Sequence, residues 1–191
     1  MADNDLSKNQ LKIMGIDPSL NNFGYFFGIL DLNTGFLENP HVYLSQLPEK
    51  KSNKKIVRQN SHDMDCARFH IDNLKAFISH HQPDVVCVEL PVGSQTARAM
   101  ASYGICIGII ASITTPLIQV TPTEVKLAAT GIKTATKSDM IKWAVEQFPD
   151  AQWLKHGGKL TAKNEHIADA LGAIYAGVKT DQFKLITSLR K

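Results

Sequence analysis

Hydrophobic and polar residues follow one another in the first part of the chain in three runs that are typical of β-strands. The runs are residues 11–17, 22–32 and 36–47, and the turn-rich segments Pro-Ser-Leu-Asn and Asn-Thr-Gly separate them. Strands joined by short turns of this composition pair as antiparallel neighbours. We therefore expect these residues to form a three-stranded antiparallel meander.

The pattern then changes to helices that alternate with short apolar strands. Residues 61–81 place apolar side chains, including Met64, Leu74 and Phe77, largely on one stripe, which predicts an amphipathic helix. Short apolar runs predict strands at 84–90 and 117–120, and the predicted remaining helices are 96–114, 122–131, 136–148 and 164–178. This order favours an α/β fold, in which a mixed five-stranded sheet, an antiparallel meander followed by parallel strands, is flanked by helices.

Composition is that of an ordinary globular protein. The 191 residues fit one domain, with a polar N-terminal tail over about residues 1–10, and no apolar run has the length of a membrane span. The polar start has no signal-peptide features, so we expect a cytoplasmic protein of a bacterium or a phage-infected cell. The three cysteines lack metal-ligand spacing and are expected to be reduced and buried: Cys66, Cys87 and Cys106.

The charge of the chain is weak evidence about its partners. The formal net charge is +3, and residues 49–58 concentrate five cations in ten positions. Such a run is usually a solvated loop and only sometimes a nucleic-acid contact, so taken alone it favours the loop.

Candidate chemistry begins with two carboxylates at the ends of apolar runs. Asp17 follows the first predicted strand, and Glu89 closes the strand predicted at 84–90. If these strands lie side by side, the two carboxylates repel each other unless a cation lies between them. Taken singly, Asp17 before Pro18 also suits an Asx-turn, and Glu89 also suits a solvated strand end.

The last predicted helix adds further metal-ligand types. Glu165, His166 and Asp169 are three or four residues apart, which places side chains on one helical face. His166 alone suits an exposed helix position, and Asp169 alone suits an ion pair with a lysine. Because the predicted sheet brings all of these elements together, we favour a site for a hard divalent metal made from three elements.

Four segments resemble, in order, the RuvC Holliday junction resolvases of the ribonuclease H-like superfamily. "GIDPSLNNFGY" resembles the first-strand motif, "VVCVEL" the strand with the family's glutamate, and "EHIADALGAIYA" the final helix. "VTPTEVKLAATGIKTATKSDM" is similar to the segment with the family's two basic positions. The resemblance covers roughly residues 11–178 and implies a ribonuclease H-like sheet.

The resemblance also implies the roles of individual residues. The metal-binding positions are Asp17, Glu89, His166 and Asp169, with Glu165 as an alternative to His166 because it also shares a face with Asp169. Lys137 matches the basic position near the scissile phosphate and completes the implied catalytic set. Two Mg²⁺ ions, for which Mn²⁺ can substitute, would support direct hydrolysis of DNA, leaving a 5′-phosphate and a 3′-hydroxyl.

The implied partners are branched DNA and a second copy of the chain, and no membrane. The resemblance assigns the dimer contact to the helix at 96–114, although a buried helix under the sheet explains its apolar residues equally well. Phosphate contacts are expected from four cations, which would make binding salt-sensitive: Arg98, Lys126, Lys133 and Lys137.

The chain departs from the family pattern in places. Ser19 replaces a turn glycine, and Val92 stands where the family commonly has a base-stacking phenylalanine, which predicts a weaker or different sequence preference. The basic stretch 49–58 suits a divergent, phage-type branch.

The same type of site also leaves other functions open. A nuclease acting on flaps or RNA–DNA hybrids would use the same ligands. A non-catalytic junction-binding protein is expected to lose an acidic ligand, and an actin-like kinase needs a second domain for which 191 residues leave no room.

Overall fold

The fold is built on one mixed sheet, and the computed structural model describes residues 9–48 and 58–189. Strands β1 (Gln10–Ser19), β2 (Asn22–Asp31) and β3 (Leu37–Ser45) form the antiparallel meander. Strands β4 (Val85–Glu89) and β5 (Leu117–Val120) extend it with parallel pairing. The spatial order β3-β2-β1-β4-β5 confirms the five-stranded sheet expected from the sequence.

Helices cover both faces of this sheet. The first face carries α1 (Gln59–His81) and α2 (Ala97–Ile110), whose buried side chains pack with those of β1, β2 and β4. The second face carries α5 (Asn164–Gly177), α3 (Pro122–Thr130) and α4 (Lys137–Gln147). Phe183 anchors α6 (Asp181–Ser188) in the same second core.

Strand alternation decides which face each carboxylate reaches. In β1, Ile13 belongs to the core under α5, whereas Met14 and Ile16 belong to the core under α1 and α2. Because successive side chains point to opposite faces, Asp17 lies on the α5 face with Ile13. The same alternation in β4 places Glu89 on the α5 face.

Two glycines allow α5 to lie directly against the sheet. A Cβ atom at Gly15 would lie 1.9 Å from the carbonyl oxygen of Ala170, and one at Gly24 would lie 2.0 Å from that of His166. No side chain fits between helix and strands at these points, so the backbone of α5 is held over β1 and β2.

Several sequence predictions need correction at their edges. Met64, which the periodicity places on the apolar stripe of the first helix, is exposed, and the buried face of that helix includes two polar residues, Asp63 and His70. A fully buried His70 is tolerated because both ring nitrogens are satisfied: Nε2 donates to the Leu20 carbonyl at 3.0 Å, and Nδ1 accepts from the Ser45 hydroxyl at 2.8 Å.

The ends of the first strand also differ from the prediction. Asp17 does not end β1, which continues through Pro18 to Ser19 and pairs there only with β2. Proline is accepted because the pairing with β4 stops at Ile16, so no donor is needed on that side. β1 begins at Gln10, the last residue of the tail predicted at about 1–10; residues 1–8 and most of the basic stretch 49–58 lie outside the described residues.

Two elements were not predicted: α6 and a short hairpin formed by β6 (Lys155–His156) and β7 (Lys159–Leu160). The three cysteines are free and buried, as expected. Within the described part of the chain, no helix is long and apolar enough to cross a membrane.

Candidate active site

Asp17 and Glu89 are neighbours across the centre of the sheet. Ile16 of β1 pairs with Val88 of β4, so the next residue of each strand lies beside the other on the α5 face. Burial, together with the charges of Asp17 and Asp169 and against the opposing effect of Lys126, raises the pKa of Glu89 to about 9. The expectation that the two strands carrying these carboxylates lie side by side is confirmed.

His166 is held directly against Asp17. Its Nδ1 donates a hydrogen bond to Asp17 Oδ2 at 2.6 Å, because a carboxylate only accepts. Burial lowers the pKa of His166, but the hydrogen bond to Asp17 and the surrounding negative charges outweigh that effect, and the pKa is raised overall. Gly24, which pairs with Asp17 in the sheet, allows the backbone of α5 at His166 to lie close enough to the strands for this hydrogen bond.

Asp169 lies one helical turn beyond His166. Burial, followed by the negative charge of Asp17, raises the pKa of Asp169 to about 7. Its Oδ1 is buried and has no hydrogen-bond partner among the described residues. A buried carboxylate oxygen without a donor is costly, so this atom suits a cation or a donor that none of the described residues supplies.

Lys137, the first residue of α4, reaches the same site through Glu165. Its Nζ lies 2.9 Å from Glu165 Oε1 and 2.7 Å from Oε2, and this hydrogen-bonded pair raises the pKa of Lys137. The Lys137 side chain is 80% exposed, so its ammonium group is accessible from solvent. Glu165 Oε1 is also 3.6 Å from His166 Nε2 and therefore bridges the lysine to the histidine.

The other predicted DNA-binding residues have different surroundings. Lys126 is half-buried on α3, and its charge lowers the pKa values of Glu89 and Asp169. Lys133 is exposed between α3 and α4 and forms no ion pair with a described residue. Arg98 makes two hydrogen bonds to buried Asp63, which ties α2 to α1 on the opposite side of the sheet.

The loop after Glu89 presents Val92, which is 84% exposed. Gly93 follows with φ of 131°, a conformation that favours glycine. The position at which the family resemblance implies a base-stacking aromatic is therefore an exposed tip, but with an aliphatic side chain.

The side chains of the candidate site are of types that bind divalent metals, but their positions in the structure do not form a metal-binding geometry. Among the residues that the structure describes, no three of the histidine, cysteine, aspartate and glutamate side chains form a group that could hold a metal ion. The His166–Asp17 hydrogen bond occupies one donor atom of each residue. Three carboxylates and one imidazole are ligand types that hard divalent cations prefer, and Asp169 has a buried oxygen with no described partner. These residues are therefore chemically suited to hold a divalent metal ion.

Comparison of the sequence with known proteins finds a similarity to RuvC. No family model matches the chain. RuvC, the crossover junction endodeoxyribonuclease of Carboxydothermus hydrogenoformans, is 27% identical over 173 residues, which cover 87% of this chain and 95% of that protein. The chain is a distant homologue of RuvC.

Solved structures agree on the fold. RuvC of Thermus thermophilus in complex with a Holliday junction substrate matches with a TM-score of 0.61 at 17% identity, covering 87% of this chain and 92% of that one. The Fowlpox virus resolvase in complex with Holliday junction DNA matches with a TM-score of 0.51 at 14% identity, covering 95% and 100%. The ribonuclease H-like fold expected from the sequence is confirmed.

Proposed function

We propose that this protein is a metal-dependent endonuclease that resolves four-way DNA junctions. The observation that carries the proposal is the clustering of Asp17, Glu89, His166 and Asp169 at one end of the sheet, where burial and the neighbouring carboxylates strongly raise the pKa values of Glu89 and Asp169. Homology to RuvC supports the choice of a DNA junction as substrate.

The four residues would hold two Mg²⁺ ions, which when bound activate water and stabilise the leaving 3′ oxygen in phosphodiester hydrolysis. Asp17 Oδ2 and His166 Nδ1 give up their mutual hydrogen bond if they ligate through these atoms. Glu89 and Asp169 enter as carboxylates, so they release any proton that their raised pKa values retain.

Lysine side chains provide the charge that the DNA phosphate requires. Lys137 is exposed and held beside the site, where its ammonium group can neutralise charge that develops on the scissile phosphate. Lys126 adds positive charge next to Glu89 and Asp169. Lys133 and Arg98 remain proposed phosphate contacts. Arg98 would contact a phosphate while it keeps its hydrogen bonds to Asp63.

Resolution of a junction needs two cuts, so we propose a homodimer that forms through α2. The buried residues of α2 are confined to its C-terminal half, Cys106, Ile109 and Ile110. An outward stripe of small and apolar side chains remains exposed on the same helix: Ala97, Met100, Ala101, Gly104, Ile107 and Gly108. A Cβ at Gly104 or Gly108 would meet nothing within 4 Å, so a second helix can approach closely there.

The deciding experiment compares cleavage of a synthetic four-way junction with that of linear duplex, flap and RNA–DNA hybrid in Mg²⁺. Wild type, Asp17→Asn and the matched control Asp72→Asn, an exposed acid on α1, would be assayed together. We expect paired, symmetric and ligatable nicks in the junction that disappear only in Asp17→Asn.

Other outcomes would redirect the proposal. Junction binding without cleavage by wild type would indicate a structural binder. Preferential cleavage of flap or hybrid would keep the metal site and replace the substrate.

A further inference from the structure

The β6–β7 hairpin forms an arm beside the candidate active site, and the proposed function assigns no role to this arm. Its turn consists of Gly157 and Gly158, with φ of 56° and 78°, so two positive-φ residues join two very short strands. This geometry is that of a tight two-residue hairpin turn. All six residues from Lys155 to Leu160 are exposed.

A buried asparagine fastens the base of this arm to α5. Asn164 is fully buried; its Nδ2 donates to the carbonyls of Leu154 at 2.8 Å and Thr161 at 3.0 Å, and its Oδ1 accepts from the Leu154 amide at 2.9 Å. Leu154 and Thr161 flank the hairpin, and the Thr161 amide donates to the Leu154 carbonyl at 3.0 Å. Because Asn164 is two residues from His166, the arm is positioned relative to the active-site end of α5.

A groove of about 670 Å³ lies between the arm and α4. Its lining is mainly apolar, with Ile141 and Val145 from α4 and Leu160 from the arm. Lys137 and Glu165 also line it, so the groove is continuous with the candidate active site.

The groove lining carries two lysines and two glutamates, and the arm adds two further lysines beside it. Lys155 and Lys159 on the arm are exposed and form no ion pair with any residue in 9–48 or 58–189. Lys142 on the opposite wall lies 3.9 Å from the exposed Glu146. The remaining carboxylate of the groove, Glu165, is engaged by Lys137.

We propose that the arm and α4 bind one DNA strand of the junction beside the cleaved phosphate. Lys155, Lys159 and Lys142 contact its phosphates, and the apolar floor of the groove receives sugar and base surfaces. The inference rests on the proposed function for its substrate class, and it adds a contact surface to that function. The two arm lysines, which form no ion pair with a described residue, and the continuity of the groove with the candidate active site favour DNA over a protein partner.

The test measures DNA binding without cleavage. Lys155→Ala/Lys159→Ala and the matched control Arg68→Ala/Lys75→Ala, on exposed positions of α1, would be titrated with a labelled junction in EDTA at several salt concentrations. The arm variant should bind roughly tenfold more weakly near 0.15 M salt, and the slope of log Kd against log salt should fall by about 2, since each lost phosphate contact removes about 0.9.

A crosslink supplies a second measurement that does not depend on affinity. Lys159→Cys would be labelled with a benzophenone maleimide, because the three native cysteines are buried. Irradiation should attach it to the strand within a few nucleotides of the cleaved bond, whereas the same label at Lys75→Cys should give no crosslink.

The outcomes separate this inference from the proposed function. Unchanged affinity and salt slope in the arm variant, with no crosslink from position 159, would overturn the inference while junction cleavage stands. Junction binding that depends on the arm, but without cleavage by wild type, would overturn only the proposed function. A wild-type protein that binds no DNA would overturn both.

Discussion

Glu89 is the residue at which burial and charge conflict most strongly. Its unfolded pKa is near the ordinary 4.5, and in the folded protein burial and the nearby carboxylates raise it to about 9. The folded state therefore holds a proton that the unfolded state has lost between these pH values. This contribution to stability is complete below pH 4.5 and is lost as pH rises through 9.

Glu89→Gln should relieve this conflict. In EDTA at pH 8 we expect its melting temperature to exceed that of wild type by roughly 5 °C. The glutamate must take up a proton when the protein folds at this pH, whereas the amide is already neutral. Mg²⁺ should stabilise wild type, more at pH 8 than at pH 5, and should have little effect on the variant. Thermal melting at both pH values measures this, and equal Mg²⁺ stabilisation of the two proteins would exclude Glu89 as a ligand.

The contact of Glu165 with Lys137 suggests a role for Glu165 that differs from metal binding. Both of its carboxylate oxygens approach the lysine Nζ, so we interpret Glu165 as the residue that positions Lys137. Glu165→Gln should lower kcat about tenfold, less than the 10²–10³ that follows removal of a charge-stabilising donor. Metal affinity, measured by calorimetry with Mn²⁺, should remain unchanged.

A double-mutant cycle checks this interpretation. In a Lys137→Ala background, Glu165→Gln should have no further effect on kcat, because the side chain that it positions is gone. A loss of Mn²⁺ affinity in Glu165→Gln would instead make Glu165 a ligand.

At the scale of elements, α5 and β2 meet through backbone contact. Gly24→Ala would place a methyl group 2.0 Å from the His166 carbonyl oxygen and 2.3 Å from its carbon, and backbone cannot yield as a flexible side chain can. We expect a loss of about 3 kcal/mol in the free energy of unfolding, at the upper end of overpacking costs. Denaturant unfolding measures it.

Gly28→Ala on the same strand is the matched control. Its closest contacts, at 2.8 and 2.9 Å, are side-chain atoms of Leu37, which can move, so we expect less than half the loss. Equal losses in the two variants would mean that the close approach of α5 does not limit substitution at Gly24.

At the scale of the whole molecule, the exposed face of α2 predicts a dimer. Ile107→Glu places a charge in the centre of that face, and because Ile107 is 46% exposed the monomer should remain folded. We expect self-association to weaken at least about tenfold, since two carboxylates would oppose each other across the symmetric contact.

Sedimentation and cleavage products test this prediction together. Ile107→Glu should sediment as a monomer and should cut junctions on one strand at a time. Met64→Glu, an equally exposed position on α1, is the control and should behave as wild type. A monomeric wild type that still makes paired cuts would contradict the dimer.

Much of this protein was determined by sequence alone, because local periodicity and chain order are written residue by residue. Strand-like runs joined by turns predicted the meander, short continuous apolar runs predicted the two parallel strands, and the three-and-four spacing of Glu165, His166 and Asp169 predicted one helical face. The order of the elements also indicated that Asp17 and Glu89 could be neighbours, and the parallel register of β1 and β4 brings them side by side.

Tertiary structure decided what depends on partners distant in the chain. Asp63 and His70 are buried at positions where a hydrophobic stripe would have apolar residues, because Arg98, Ser45 and Leu20 satisfy them. The arm at 155–160 has too few residues in each strand for a periodic pattern, and buried Asn164 holds it in place. Pairing of Lys137 with Glu165 and of His166 with Asp17 likewise required the helices to be packed, since hydrogen bonds between elements depend on side-chain geometry that sequence spacing does not contain.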